Sequence, residues 1–210
     1  MAWAGRAARA GGGGVGGVEA DRRRAIAHRN VTAILDAAEA LIRAHAPVTI
    51  AGVASAAGVS RVTVYAHFAT AEAVLEAVVA RAVGHATAAL AAAKPAEGPP
   101  VAALERLLVT GWREVGRHAP IAQAASMLLS ADAMARSHQV AYHEVADLVD
   151  RGRRDGAFRS DVPADWLVTC SFALIHACAD EVRGGRIDPM EAEQVLVTTV
   201  RDLFIGKPGS

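Results

Sequence analysis

Aromatic residues are scarce in this 210-residue chain, with Phe, Trp and Tyr together making up 4%. Large flat side chains therefore cannot supply most of a core, and Ala, Val and Leu must do the packing. Cysteine is nearly as rare: Cys170 and Cys178 are the only two. On one helix they would stand ~12 Å apart along the axis, whereas a disulfide needs Cα atoms within about 7 Å, so nothing here asks for an oxidising compartment. The most apolar run, Trp166 to Ala179, is shorter than the ~20 residues of a membrane span. At the N-terminus, Arg6 and Arg9 precede GGGGVGG, with none of the apolar stretch that a signal peptide needs. The expectation is a soluble cytoplasmic protein with no membrane partner. Strand patterns, hairpin signals and internal repeats are also missing, which excludes sheet-based folds and leaves no strand for a Gly-rich phosphate loop to follow.

What is present is helical. At 52% hydrophobic and 21% charged residues, the chain can bury a core. Net charge is zero, but residues 1–92 carry nine Arg against six acids, while residues 93–210 carry thirteen Lys and Arg against sixteen acids. The front half is the one suited to a polyanion. The reading is an all-α chain of about nine helices.

Residues 1–24, rich in Gly, Ala and Arg and ending in DRRR, read as a flexible tail. A first helix follows, with Val31, Ile34, Leu35, Ala38, Leu41 and Ile42 on one face. Pro47 stops it. Thr49 caps a short second helix, IAGVASAA, which Gly58 ends, and Ser60 caps a brief third through about Phe68. Thr70 caps a long connecting helix, 71–93, broken by the KPAEGPP linker at 94–100. Beyond it, helices are expected over Val101–His118, from Pro120 onward, over about 137–154, over 163–183, and from Asp188, whose DPME opening has an N-cap, a first-turn Pro and a capping-box Glu191.

Residues 25–70 thus contain two short helices joined by a tight Gly turn, the form of a helix-turn-helix. Ala54 is small where the axes must cross, Gly58 suits a positive φ, and Val53, Val59 and Val64 wedge the helices together. A helix as short as the third does not hold by propensity alone. Packing holds it, which leaves Arg61, Val62, Thr63, Tyr65, Ala66 and His67 facing outward.

The run AAGVSRVTVYAHFATAEAVLEAVV resembles the DNA-binding domain of TetR-type (tetracycline-repressor-type) transcriptional regulators. The shared elements are the Ala-Gly-Val-Ser turn, a Thr two residues before a Tyr, the Tyr-x-His-Phe end, and a following Glu with Leu. ILDAAEALI resembles that family's first helix, and the likeness covers about residues 26–80. By position, it implies that Ser60, Arg61, Val62 and Thr63 face base edges, that Thr49, Tyr65 and His67 touch phosphates, and that Phe68 packs inward. Arg61 is the candidate for bidentate pairing with guanine. One departure stands out: the family usually has Lys just before the first Glu of the fourth helix, and here that residue is Ala71. Arg22, Arg23 and Arg24 form a possible compensating DNA arm.

The resemblance further implies a ligand-binding and dimerisation domain over 101–206, similar to the family in architecture and in its DGAFRSDVPADW connector. The helix at 163–183 is apolar almost all round, so it needs cover on every side; pairing of the two C-terminal helices with their copies in a homodimer supplies it. Pocket candidates are Trp112, Met127, Met134, Tyr142 and Phe158, with Phe172 and His176 on the next helix, and the effector expected is apolar or aromatic. No enzyme signature is found. His176, Cys178 and Asp180 are two apart on a helix and diverge, and His138 and His143 miss metal spacing, so no metal and no cofactor are expected. The function implied is a sequence-specific regulator on a palindromic double-stranded DNA operator, a repressor released by a small-molecule effector. The alternatives are an activator or constitutive DNA-binding protein of the same fold, or a helical scaffold that has lost DNA binding.

Overall fold

The computed structural model describes residues 14–126 and 139–206. Among the described residues the architecture is all-helical, with α1 Gly14–Arg43, α2 Ile50–Ala57, α3 Arg61–Tyr65, α4 Ala71–Ala92, α5 Pro100–Ser126, α6 Gln139–Arg154, α7 Ala164–Arg183 and α8 Pro189–Ile205. The chain divides into two compact units, residues 1–74 and 75–210.

In the first unit α1 packs on α2 and α2 on α3. The apolar stripe of α1 buries Ile34, Leu35, Ala38 and Ile42, and Val53, Ala54 and Val64 close the same core. Helix α1 starts at Gly14, so residues 14–24 are not the tail expected for 1–24; residues 1–13 lie outside the described part. Extending an existing helix adds one hydrogen bond per residue fixed, without a new nucleus. Ala, Arg and Glu favour that extension, and Glu19–Arg23 and Asp21–Arg24 pair along it at 3.7 and 3.0 Å.

The second unit gathers α5 against α6, α7 and α8, with α6 on α7 and α7 on α8. Its core is built mainly of Ala, Val and Leu, from Ala103, Leu104, Leu107 and Leu108 of α5 to Ala192, Leu196 and Val200 of α8. Two helices expected either side of His118–Pro120 are one: α5 runs through Pro120. A proline inside a helix costs one backbone bond, and here the buried stripe continues past it to Ile121. The expected helix at 137–154 is described from Gln139. The linker at 94–100 is tightly held. Arg106 donates to the carbonyls of Ala93, Lys94 and Glu97 at 3.0, 3.0 and 2.7 Å, and Arg151 donates to those of Pro95 and Gly98, both at 2.7 Å.

By length and composition, α4 is the one helix among those described that could cross a membrane, where Trp166–Ala179 had looked the most apolar run. Its alanines raise the average, and one side of it lines a cavity described below.

The DGAFRSDVPADW connector folds back on α8. The Arg159 amide donates to the Phe204 carbonyl at 2.8 Å, and the Phe158 ring meets Phe204 edge-on at 5.3 Å. The Arg159 guanidinium grips Asp161 through two 2.7 Å bonds and holds its carboxyl down at about 2. Phe158 also fills the space beside Gly152, where an added Cβ would stand 2.1 Å from its ring. Gly152→Ala is therefore expected to destabilise the protein by about 1–3 kcal/mol, the usual range for overpacking, read as a lower urea midpoint. An unchanged midpoint would mean that Phe158 is free to move aside.

Candidate nucleic-acid interface and ligand cavity

Three ends of the two short helices are closed by named groups. Thr49 Oγ1 accepts from the Gly52 amide at 3.0 Å, capping α2. Gly58 ends α2 with φ +66°, its N–H turned back to α2 carbonyls, a left-handed conformation that costs a side-chain-bearing residue about 1–2 kcal/mol. The Val59 amide adds a bond to the Ala54 carbonyl at 3.0 Å. Ser60 Oγ then accepts from the Thr63 amide at 3.0 Å, starting α3. Both elements of the expected turn are therefore present, with Ala54 and Val53 buried where the helices meet.

Helix α3 is short but two-faced. Val64 is fully buried, while Val62 is 77% and Tyr65 57% exposed, and Arg61 is exposed beside them. Tyr65 follows Val62 by three residues and Arg61 by four, the spacings that make it a neighbour of both on the helix surface. Thr63 and His67 are half-buried. The Thr63 hydroxyl is tied to Ser60 Oγ at 2.8 Å, so these two serve first to build the helix start. Thr49 is exposed and, while accepting from Gly52, keeps its own hydroxyl proton for another acceptor. Phe68 is half-buried, its amide bonded to the Val64 carbonyl at 2.8 Å.

The next helix begins with Thr70 Oγ1 accepting from the Ala73 amide at 3.2 Å. Glu72 lies in its first turn. Its own backbone N–H, and then the Thr70 side chain, hold its carboxyl below the ordinary glutamate range. Ala71 leaves this helix start without a basic side chain. Arg22, Arg23 and Arg24 stand on α1 rather than on a loose arm, all exposed, with Arg23 and Arg24 in the exposed ion pairs already given.

The second unit has a cavity of about 440 Å³ lined by α4, α5, α6 and α7 and reaching solvent at one edge. Its walls are mostly small and aliphatic: Val79, Ala82, Val83 and Ala86 of α4, Leu107, Gly111 and Ala122 of α5, and Ile175 of α7. Of the expected pocket residues, Phe172 and His176 line it. Trp112 and Phe158 instead pack with the core. Tyr142, at the limit of exposure, stacks on Phe172 at 4.2 Å without lining the space. Met127 and Met134 lie outside the described residues.

Sequence reasoning missed Glu114, a carboxylate in the cavity wall and only 6% exposed. Its signal was available: Leu104, Leu107, Leu108, Gly111, Glu114 and His118 recur at three- and four-residue steps along the apolar face of α5. Among the described residues no group of three or more His, Cys, Asp or Glu is placed to hold a metal ion. Both cysteines are free.

Capped α2, left-handed Gly58 and two-faced α3 together define a helix-turn-helix protein. Residues 34–78 match the family model of bacterial regulatory proteins, tetR family. The fold is TetR-like along most of its length. The TetR-like regulator LfrR from Mycobacterium smegmatis, solved with proflavine, superposes with a TM-score of 0.63 at 23% identity, covering 85% of this chain and 98% of that one. The fatty acid degradation regulator FadR from Bacillus halodurans gives 0.68 at 18% identity, with 85% and 95% covered. A protein of unknown function from Rhodococcus sp. RHA1 gives 0.72 at 19%, with 84% and 96% covered. No curated protein matches the chain.

Proposed function

We propose that this protein is a sequence-specific DNA-binding transcriptional regulator, a homodimeric repressor that leaves a palindromic operator when a small molecule fills the cavity of its second unit. One observation carries the reading: α3 buries Val64 yet leaves Arg61, Val62 and Tyr65 outward. A soluble protein gains little by exposing a Val and a Tyr beside an Arg on so short a helix, unless that face meets a partner. In a major groove, Arg61 can pair with guanine, Val62 can meet a thymine methyl, and Tyr65 and Thr49 can donate to phosphates. Thr63 and Ser60, held by each other, keep the helix start rigid, and His67 stands at its far end. Exposed Arg22 of α1, beside the ion-paired Arg23 and Arg24, puts basic side chains on the same unit.

Support for a dimer comes from α7 and α8, which leave Trp166 56%, Met190 90%, Val195 43% and Ile205 43% exposed. Two copies joined about a twofold axis present two α3 helices, and the half-sites they read lie about 34–36 Å apart, or multiples of that spacing. The solution mass is then twice 21.7 kDa, and Trp166→Asp with Val195→Asp brings it to the monomer value by light scattering. A monomeric wild type would remove the twofold reading.

The cavity supports a ligand-responsive regulator, since its volume lies in the ~300–1,000 Å³ range of small-molecule sites. A ligand releases DNA only by binding the DNA-free conformation more tightly than the DNA-bound one. Selection of duplexes from a random pool tests the function itself. An enriched inverted repeat is the expected product, and a pool without enrichment would leave the DNA-binding reading without support.

A further inference from the structure

The cavity wall holds one deep carboxylate, and that group limits what can bind. Five ionisable side chains line the space: Glu114 and His118 on α5, and His176, Asp180 and Arg183 on α7. Asp180 and Arg183 pair with each other at 2.8 Å, with their side chains 63% and 64% exposed, so they cancel at the solvent edge. His176 is exposed as well. Glu114 is the deep one, with its side chain 7% exposed, and His118 beside it is 14% exposed.

The two oxygens of Glu114 are not equivalent. Oε1 faces Nη1 of Arg117 at 3.0 Å, and that guanidinium reaches out to solvent, 62% exposed. Oε2 is fully buried and accepts no hydrogen bond, although His118 Nε2 lies 3.3 Å away. A buried carboxylate short of donors is costly to leave so, and Glu114 lines the cavity, where a ligand N–H can add one. Around it the wall is aliphatic and built of small residues, which leaves room for an apolar body. We infer that the cavity selects an apolar molecule bearing one protonated amine, with that amine donating to the Glu114 carboxylate where it lines the space and the apolar body lying among Val79, Ala82, Ala86, Leu107 and Ile175. A carboxylate head on the same body would meet Glu114 as a like charge, and an alcohol would make a weaker, uncharged bond.

This assignment of ligand class rests on the regulator reading for its biological meaning, but its test needs no DNA. Dodecylamine, dodecanol and dodecanoate share one tail and differ only at the head. Titrated calorimetrically into the full chain below their micellar concentrations, the amine is expected to bind at least about tenfold tighter than either of the others, as befits a hydrogen bond to a charged group over a neutral one. Glu114→Gln, which keeps shape and removes charge, is expected to erase that preference while dodecanol binding persists. Arg183→Ala at the rim keeps the preference. Tighter binding of dodecanoate, no saturable binding of any probe, or an amine preference that survives in Glu114→Gln would each overturn the inference. Anisotropy on a selected duplex, without probe, tests the regulator reading separately: loss of DNA binding there leaves the head-group result standing.

Discussion

Replacing Arg61 and Tyr65 together by alanine is expected to weaken operator binding by about 30- to 1,000-fold while leaving the urea midpoint of the protein unchanged. Both halves follow from the way α3 is built. Val64 is fully buried and the Ser60 cap fixes the helix start, so truncating two exposed side chains removes no core and no cap. Exposed substitutions of this kind stay within about ±0.5 kcal/mol of wild-type stability. On DNA the losses are larger. A bidentate Arg–guanine pair discriminates by about 1–3 kcal/mol, and a hydroxyl bond to phosphate adds about 1 kcal/mol. Each ~1.4 kcal/mol is tenfold. The single variants should also differ in kind: Arg61→Ala relaxes preference at one base position, whereas Tyr65→Ala weakens all sequences alike. Anisotropy titrations on the selected duplex and on a scrambled one check both. Equal affinities for wild type and double variant would detach α3 from the DNA.

Phe204→Ala is expected to cost about 3–5 kcal/mol, a large share of the ~5–15 kcal/mol typical of whole proteins. Phe204 is fully buried, stands edge-on to Phe158 at 88°, and its carbonyl takes the Arg159 amide. One residue thus closes the C-terminal core and anchors the connector between α6 and α7. With only four Phe in the chain and neighbours that are mostly Ala, Val and Leu, no large side chain stands ready to refill the space, so the cavity term is felt nearly in full. Denaturation in urea should show the fall in midpoint, and the far-ultraviolet spectrum of the residual native state should stay helical. A loss below about 1 kcal/mol would mean that the connector collapses into the gap.

Much of this arrangement was legible in the sequence, for reasons that sit in particular residues. Thr49, Gly58 and Ser60 are a cap, a left-handed stop and a second cap, and such local chemistry acts over two or three residues wherever it occurs. The Asp188-Pro189 start of α8 is of the same kind, with Asp188 accepting from the Met190 amide at 2.8 Å. Helix boundaries that depend on tertiary packing were harder to see. Pro120 looked like a break, but buried Leu108 and Ile121 on either side hold α5 together through it. The Gly-rich stretch before Arg22 looked like tail, because glycine lowers helix propensity while the ion pairs that extend α1 appear only once the helix exists.

The cavity was the least legible part. Its walls come from small residues, Ala82, Ala86, Gly111, Ala119 and Ala122, and the space is what their missing atoms leave. Trp112 and Phe158 drew attention as large side chains, yet large side chains fill space, and both pack with the core. Glu114 escaped notice because a carboxylate on an apolar stripe reads as a single break in the pattern until the neighbouring helices close over it.

The central claim is that the outward face of α3 reads a particular duplex. Anisotropy titration of wild-type protein against its selected inverted repeat and a scrambled duplex, at one fixed salt concentration, tests it most directly. A dimer-stoichiometry curve with at least about a thousandfold preference for the selected duplex, the lower end for specific binders, is the predicted result. Equal affinity for the two duplexes, or no binding to either, would contradict it.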